Sequence, residues 1–172
     1  MLIFEDIVTG AELISDGWDM NLIDGVVYEA DCKRKTVGGE SFDTGANPSA
    51  EDEEEAIEEN KETVIDVVHD FGYQETQFDK KGYLTYLKGY MKMIETKLTE
   101  SGAPAEEIAT FKKGAGAYAK KIAGNFGDYE MFIGARFDED KGNHMIVLLN
   151  YREDGVTPYV VLWKHGLKEM KV

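Results

Sequence analysis

From about residue 80 to residue 126, apolar side chains recur every three or four positions. The first run, from about Lys80 to Thr99, carries Tyr83, Leu84, Leu87, Tyr90, Met91, Ile94 and Leu98. That spacing places them on one face of an α-helix. Asp79 stands where an N-cap belongs, and Gly82 and Gly89 weaken the run locally. A second run begins near Ser101, with Pro104 expected in its first turn and Glu106 and Glu107 at the positive end of the helix dipole. Its apolar set is Ile108, Phe111, Ala115, Tyr118, Ile122 and Phe126. The connection from Glu100 to Ala103 is short, which predicts two antiparallel helices, a hairpin over 79–126.

Elsewhere the pattern is that of strands. Met1 to Asp6, Val26 to Ala30, Thr63 to Val68 and Met131 to Phe137 are short and rich in β-branched or aromatic residues. His144 to Tyr151 and Val156 to Trp163 flank Arg152-Glu153-Asp154-Gly155, and Asp-Gly between two apolar runs predicts a β-hairpin. Pro158 argues that the second of these strands starts late or lies at an edge. Helices clustered in one insertion among mainly antiparallel strands predict an α+β fold. The chain shows no internal repeat and no linker that splits it, so 1–172 is expected to be one domain.

Charge changes this picture by region. The chain has 34 acids against 19 bases, a formal charge of −15. Residues 40–62 hold ten acids and one lysine, a net −9. Few apolar residues accompany them, and Gly38, Gly39, Gly45, Asn47 and Pro48 open the stretch. Such a segment buries too little surface to offset its ordering entropy, so a mobile acidic loop is predicted over 38–63. Residues 79–126 are the opposite: nine lysines face five acids, a net +4, leaving −19 for the rest. The overall charge disfavours nucleic acid and anionic membranes as partners. It does not prevent the lysine-bearing hairpin from meeting an acidic protein surface.

Candidate chemistry is sparse. There is no phosphate-binding loop and no Gly-x-Ser-x-Gly elbow, and an enzyme is not expected. Gly114-Ala115-Gly116 lies inside a helical pattern, where close helix packing is the expected reading. His69, His144 and His165 have no metal-ligand spacing and are expected at the surface or at strand ends. Asp138 to Asn143 begins like a calcium loop, but positions six and twelve hold Asn143 and Leu149 where Gly and Glu belong, so an acidic turn is expected. Weak, diffuse calcium binding is physically easier at Glu51, Asp52, Glu53, Glu54 and Glu55, although a solvated loop is the preferred reading there. No other cofactor is expected. Thr9-Gly10-Ala11-Glu12 fits a capping box. Cys32 is the single cysteine, which gives no sign of an oxidising compartment. Met1 to Asp6 lacks the basic and apolar stretches of a signal peptide, and no apolar run reaches the length of a membrane span. A cytoplasmic protein is expected.

Several segments are familiar together. Gly45-Ala46-Asn47-Pro48-Ser49-Ala50-Glu51 resembles the first signature of the translationally controlled tumour protein family. Asn150 to Tyr159, with Phe132-Ile133-Gly134 upstream, resembles the second. Asp79-Lys80-Lys81-Gly82-Tyr83 and Lys88-Gly89-Tyr90-Met91-Lys92 fit that family's first long helix. Tyr28 to Cys32 and Trp163 to Gly166 are most similar to its fungal branch.

The resemblance implies a twisted sheet of the β-tent kind, similar to Rab exchange factors, with a projecting helical hairpin and a long mobile acidic loop. It implies association with tubulin and microtubules through the hairpin, for which Lys88, Lys92, Lys112, Lys113, Lys120 and Lys121 are the candidate contacts. It also implies calcium binding, support of protein synthesis and growth, stress survival, and contact with an elongation factor. Location would be cytoplasmic and cytoskeletal, with the mitochondrial surface under stress. A disputed exchange role toward a Rheb-type small GTPase would fall to Glu12. The second acidic position of that proposal is Ala135 here, and Asp138 to Gly142 lengthens the segment that follows, which leaves Glu12 alone.

Overall fold

The computed structural model describes residues 1–37, 62–135 and 143–171. The strands are β1 (Leu2–Asp6), β2 (Glu12–Ser15), β3 (Met20–Ile23), β4 (Val27–Asp31), β5 (Arg34–Val37), β6 (Glu62–Ile65), β7 (Gln74–Thr76), β8 (Glu130–Ile133), β9 (Val147–Tyr151), β10 (Pro158–Trp163) and β11 (Leu167–Lys171). The helices are α1 (Asp66–Asp70), α2 (Lys80–Glu100) and α3 (Ala105–Gly124). All described pairings are antiparallel. They form a three-stranded sheet in the order β11-β1-β2, a six-stranded sheet in the order β3-β4-β10-β9-β8-β7, and a β5-β6 ribbon. The fold is α+β.

The centre of the large sheet explains the layering. Every residue of β10 is buried, as expected for a strand covered on both faces. On one face Val161 lies opposite Glu29, whose carboxylate meets Tyr118 of α3, and Trp163 packs edge-on against the Tyr118 ring. On the other face Leu162 lies opposite Tyr28, which meets Phe4 of β1 at 6.3 Å between rings. The helical hairpin therefore covers one side of the sheet and the three-stranded sheet the other.

Several expectations are corrected or narrowed. Asp66 to Val68 are helical rather than extended: the Asp66 carboxylate accepts from the Val67 amide at 2.7 Å and the Lys33 amide at 3.2 Å, which ends the strand at Ile65. Gly134 and Ala135 do not continue β8, because Gly134 is pressed against Ala11 and Leu13, where a Cβ would come within 2.6 Å of Ala11. His144 to Ile146 precede the strand: the Met145 amide donates to buried Asp6, and Tyr86 holds both the His144 carbonyl and the Ile146 amide. Pro158 is not at an edge; it opens β10, between β4 and β9, so the late-start alternative holds. The second helix starts at Ala105, with Pro104 at its N-cap rather than in its first turn. Of the acidic loop expected over 38–63, Glu62 and Thr63 are strand residues, and 38–61 lie outside the described residues.

Candidate interaction surface

The hairpin is built by clear local chemistry. The Asp79 carboxylate accepts from the Gly82 amide at 2.7 Å and caps α2. At the other end Gly102 takes φ +78°, the Gly102 amide donates to the Thr99 carbonyl and the Ala103 amide to the Leu98 carbonyl. This is a Schellman motif, which stops α2 and turns the chain. Pro104 then accepts from the Glu107 and Ile108 amides to start α3.

The inner faces of the two helices are fully engaged. Tyr83, Leu87, Tyr90 and Ile94 of α2, and Phe111, Ala115, Tyr118 and Ile122 of α3, are each at most 4% exposed. From Glu95 to Thr110 no residue is buried, so the hairpin tip stands clear of the core. Gly114 marks the closest approach to the sheet side: a Cβ there would come within 2.6 Å of the Asp24 carbonyl and 2.8 Å of Val26. The packing reading of Gly114-Ala115-Gly116 thus holds for its first glycine. Gly116 is different, with open space where a side chain would be.

A buried charge cluster pins α3 to the sheet. Glu29 of β4 is 4% exposed. The Tyr118 hydroxyl donates to its Oε2 at 2.6 Å and Arg152 Nη1 to its Oε1 at 2.6 Å, with Lys121 Nζ at 3.5 Å. Arg152 Nε also donates to Asp31 at 2.7 Å, and its guanidinium lies 3.9 Å from the Tyr159 ring centre. Burial pushes the Glu29 carboxyl up, but the hydrogen bonds from Tyr118 and Arg152 and the positive charges of Lys121 and Arg152 outweigh it and hold it below its usual range. Burial, and the bond to Glu29, push the Tyr118 hydroxyl up.

The candidate lysines divide accordingly. Lys88, Lys92, Lys113 and Lys120 are exposed. Lys112 pairs with Glu95 across the two helices at 2.9 Å. Lys121 is engaged by Glu29 and lies 5.1 Å from the Tyr118 ring centre. Between the helices runs a groove of about 320 Å³, lined chiefly by apolar side chains and open to solvent beside Lys88 and Gly116.

Glu12 is exposed and begins β2 opposite Glu5 of β1. The capping-box reading fails, because no helix starts there. Thr9 and Gly10 form a tight turn in which Gly10 has φ +76° and Thr9 Oγ1 accepts from the Ala11 amide. The contact of Gly134 with Ala11 brings exposed Ala135 to the same end of β2.

Other candidates are bland. Burial, and then the Asp66 charge, push the Cys32 thiol up to about 12, so it is a core residue and a poor nucleophile. His165 is wedged edge-on against Phe111 with Nε2 3.8 Å from Glu107, and its burial and Lys164 lower its affinity for a proton. Among the described residues no group of three or more His, Cys, Asp or Glu side chains could hold a metal ion. Glu51 to Glu55 and Asp138 to Gly142 lie outside the described residues. Among the described residues no helix is long and apolar enough to cross a membrane.

The sequence reasoning missed Glu29, Arg152 and the interhelical groove. A lone carboxylate inside the apolar run Val26 to Ala30 was the available signal for the first.

Comparison with known proteins fits this architecture. The family described as "Translationally controlled tumour protein" matches residues 1–168. A translationally-controlled tumor protein homolog from Alternaria alternata is 62% identical over 172 residues, with both chains fully covered. The Saccharomyces cerevisiae homolog is 51% identical, again over the full length of both chains. The solved structure of the translationally controlled tumor-associated protein p23fyp from Schizosaccharomyces pombe superposes with a TM-score of 0.81 at 48% identity, covering all of both chains. With a family match across nearly its whole length and relatives above half identity, the chain belongs to the translationally controlled tumour protein family.

Proposed function

We propose that this protein is an interaction protein whose helical hairpin engages acidic protein surfaces, with the carboxy-terminal tails of tubulin as the partner. The carrying observation is the exposure of Lys88, Lys92, Lys113 and Lys120 on a hairpin whose inner face is already committed to the sheet. The segment is net +4 in a chain of −15. Charge of this kind acts by steering, over a range of about 8–10 Å at moderate salt. Microtubule co-sedimentation is therefore expected to fall steeply from low to moderate ionic strength. Reversing Lys88, Lys92, Lys113 and Lys120 to Glu is expected to cost about tenfold or more in affinity. Binding indifferent both to salt and to these reversals would refute the reading.

A second reading rests on Glu12. Its carboxylate is exposed at the start of β2, beside the Gly134–Ala135 corner. A carboxylate reaching the phosphate-binding lysine or magnesium site of a small GTPase would compete with the nucleotide. Release of a labelled nucleotide from a Rheb-type GTPase should then quicken with this protein and lose that effect in Glu12→Ala. Equal release rates with and without the protein would exclude it.

A further inference from the structure

Gly114 and Gly116 are two residues apart on α3 and have different reasons to be glycine. Gly114 is dictated from within, since Asp24 and Val26 leave no room for a Cβ. Nothing in the described protein requires Gly116: a Cβ there would meet no atom within 4 Å. Glycine inside a helix costs stability relative to alanine. What it does at this position is open the groove between α2 and α3.

The groove of about 320 Å³ has an apolar lining from Leu84, Leu87 and Met91 on α2 and Phe111, Ala115 and Ala119 on α3. Leu84, Met91 and Ala119 are only half-buried, so it holds apolar surface still in contact with water. Lys88 and Lys112 lie in its lining, and Lys92 and Lys120 follow one helical turn beyond Lys88 and Gly116. Along α3 the outer row at every fourth residue reads Lys112, Gly116, Lys120; along α2 it reads Leu84, Lys88, Lys92. The one acid in the lining, Glu95, is taken up by Lys112 at 2.9 Å. The lined part of α2, from Leu84 to Glu95, is about 16 Å long, or three turns.

We propose that this groove receives an amphipathic helix of a partner protein, with an apolar stripe directed onto Gly116 and carboxylates on either flank. Two antiparallel helices present a groove into which the ridge of a third packs, and apolar anchors three and four residues apart suit this mode of recognition. Lys88 and Lys92 beside one wall and Lys120 beside the other, none of them paired with Glu95, select acidic flanks. An extended, wholly polar acidic tail would leave Leu84, Met91 and Ala119 uncovered. The proposal rests on reading the hairpin as an interaction arm. It adds a second class of contact, one that survives salt better than the lysines alone.

The test uses the full chain and three labelled probes in fluorescence anisotropy. The first is a synthetic helical peptide of about 15 residues with leucines three and four apart and glutamates flanking them. The second is a scramble of the same composition, and the third is oligoglutamate. The helical peptide is expected to bind about tenfold tighter than the scramble. Gly116→Leu, which fills the groove, should weaken the helical peptide about tenfold while leaving oligoglutamate unchanged. Lys88→Glu with Lys120→Glu should weaken both. A melting temperature for Gly116→Leu at or above that of the parent shows that the hairpin is intact. Equal binding of helix and scramble, or a helical peptide indifferent to Gly116→Leu, overturns the proposal. So does a concentration-dependent dimer abolished by Gly116→Leu, which would assign the groove to a second copy of the chain. Loss of the tubulin reading has a separate signature: microtubule co-sedimentation unaffected by the lysine reversals while the peptide results stand.

Discussion

On the side facing the sheet, α2 and α3 bury four tyrosine or phenylalanine side chains, a glycine backbone and one end of a charge cluster. On the side facing solvent, the same two helices carry lysines, a second glycine and a half-covered apolar groove. Residue type alone does not separate the two sides. Lys121 is tied to Glu29 and Lys120 is free to solvent, and Gly114 is crowded whereas Gly116 is open. Position relative to the sheet decides the role, and substitutions on the two sides should differ in kind. Inner changes should cost stability, and outer changes should alter binding.

The largest expected effect is at Glu29. Glu29→Ala removes the acceptor for Tyr118 and one partner of Arg152, leaving a buried hydroxyl unmet, and should destabilise the protein by about 3 kcal/mol in urea unfolding. The same carboxyl fixes a pH dependence. It is held below its ordinary value of 4.5, so the unfolded chain takes up the proton first. The stabilisation is then fully present above about pH 4.5 and is lost as pH falls through the lower folded value. Glu29→Gln should flatten that limb of the stability–pH curve. A curve unchanged by Glu29→Gln would mean that other carboxylates control acid unfolding.

Gly114→Leu comes next. With the Asp24 carbonyl and Val26 in the way, the overpacking cost should be about 2 kcal/mol, read as a fall in unfolding midpoint. Gly116→Ala should move the other way, gaining about 0.5–1 kcal/mol, because only the flexibility of glycine is removed. Equal effects at the two glycines would erase the distinction between the faces. Smallest of all, Lys88→Glu with Lys92→Glu should change stability by no more than about 0.5 kcal/mol, whatever it does to partner binding.

The two long helices, α2 and α3, were legible in the sequence because their signals are local. The apolar spacing, Asp79 as a cap and the short connection after Glu100 all act within a few residues. Several strands were not. β11, Leu-Lys-Glu-Met-Lys, is mostly polar and rich in helix formers, and it is a strand because β1 pairs with all five of its residues. β3 is an exposed edge with Leu22 46% exposed, so it lacks the alternation that marks a half-buried strand. Asp66 to Val68 carried β-branched residues, yet one side-chain acceptor redirected the backbone. The lysine candidates could be named from composition, but their division into engaged and free depended on where Glu29 and Glu95 fall in space. The groove had no sequence signal of its own, because Gly116 reads in the sequence as a packing glycine like Gly114 and only the structure shows open space there.

The pairing of β1 with β11 sets an order on biosynthesis. Leu2 lies opposite Lys171 and Asp6 opposite Leu167, and β1 is the middle strand of its sheet. A ribosome makes β1 first and β11 more than 160 residues later. At about 5–20 residues per second, that interval is about 10–30 s. Through all of it β1 has β2 on one edge and nothing of its own chain for the other. The three-stranded layer that covers one face of β10 therefore cannot close until β11 is made, and until then one edge of β1 carries unpaired backbone groups.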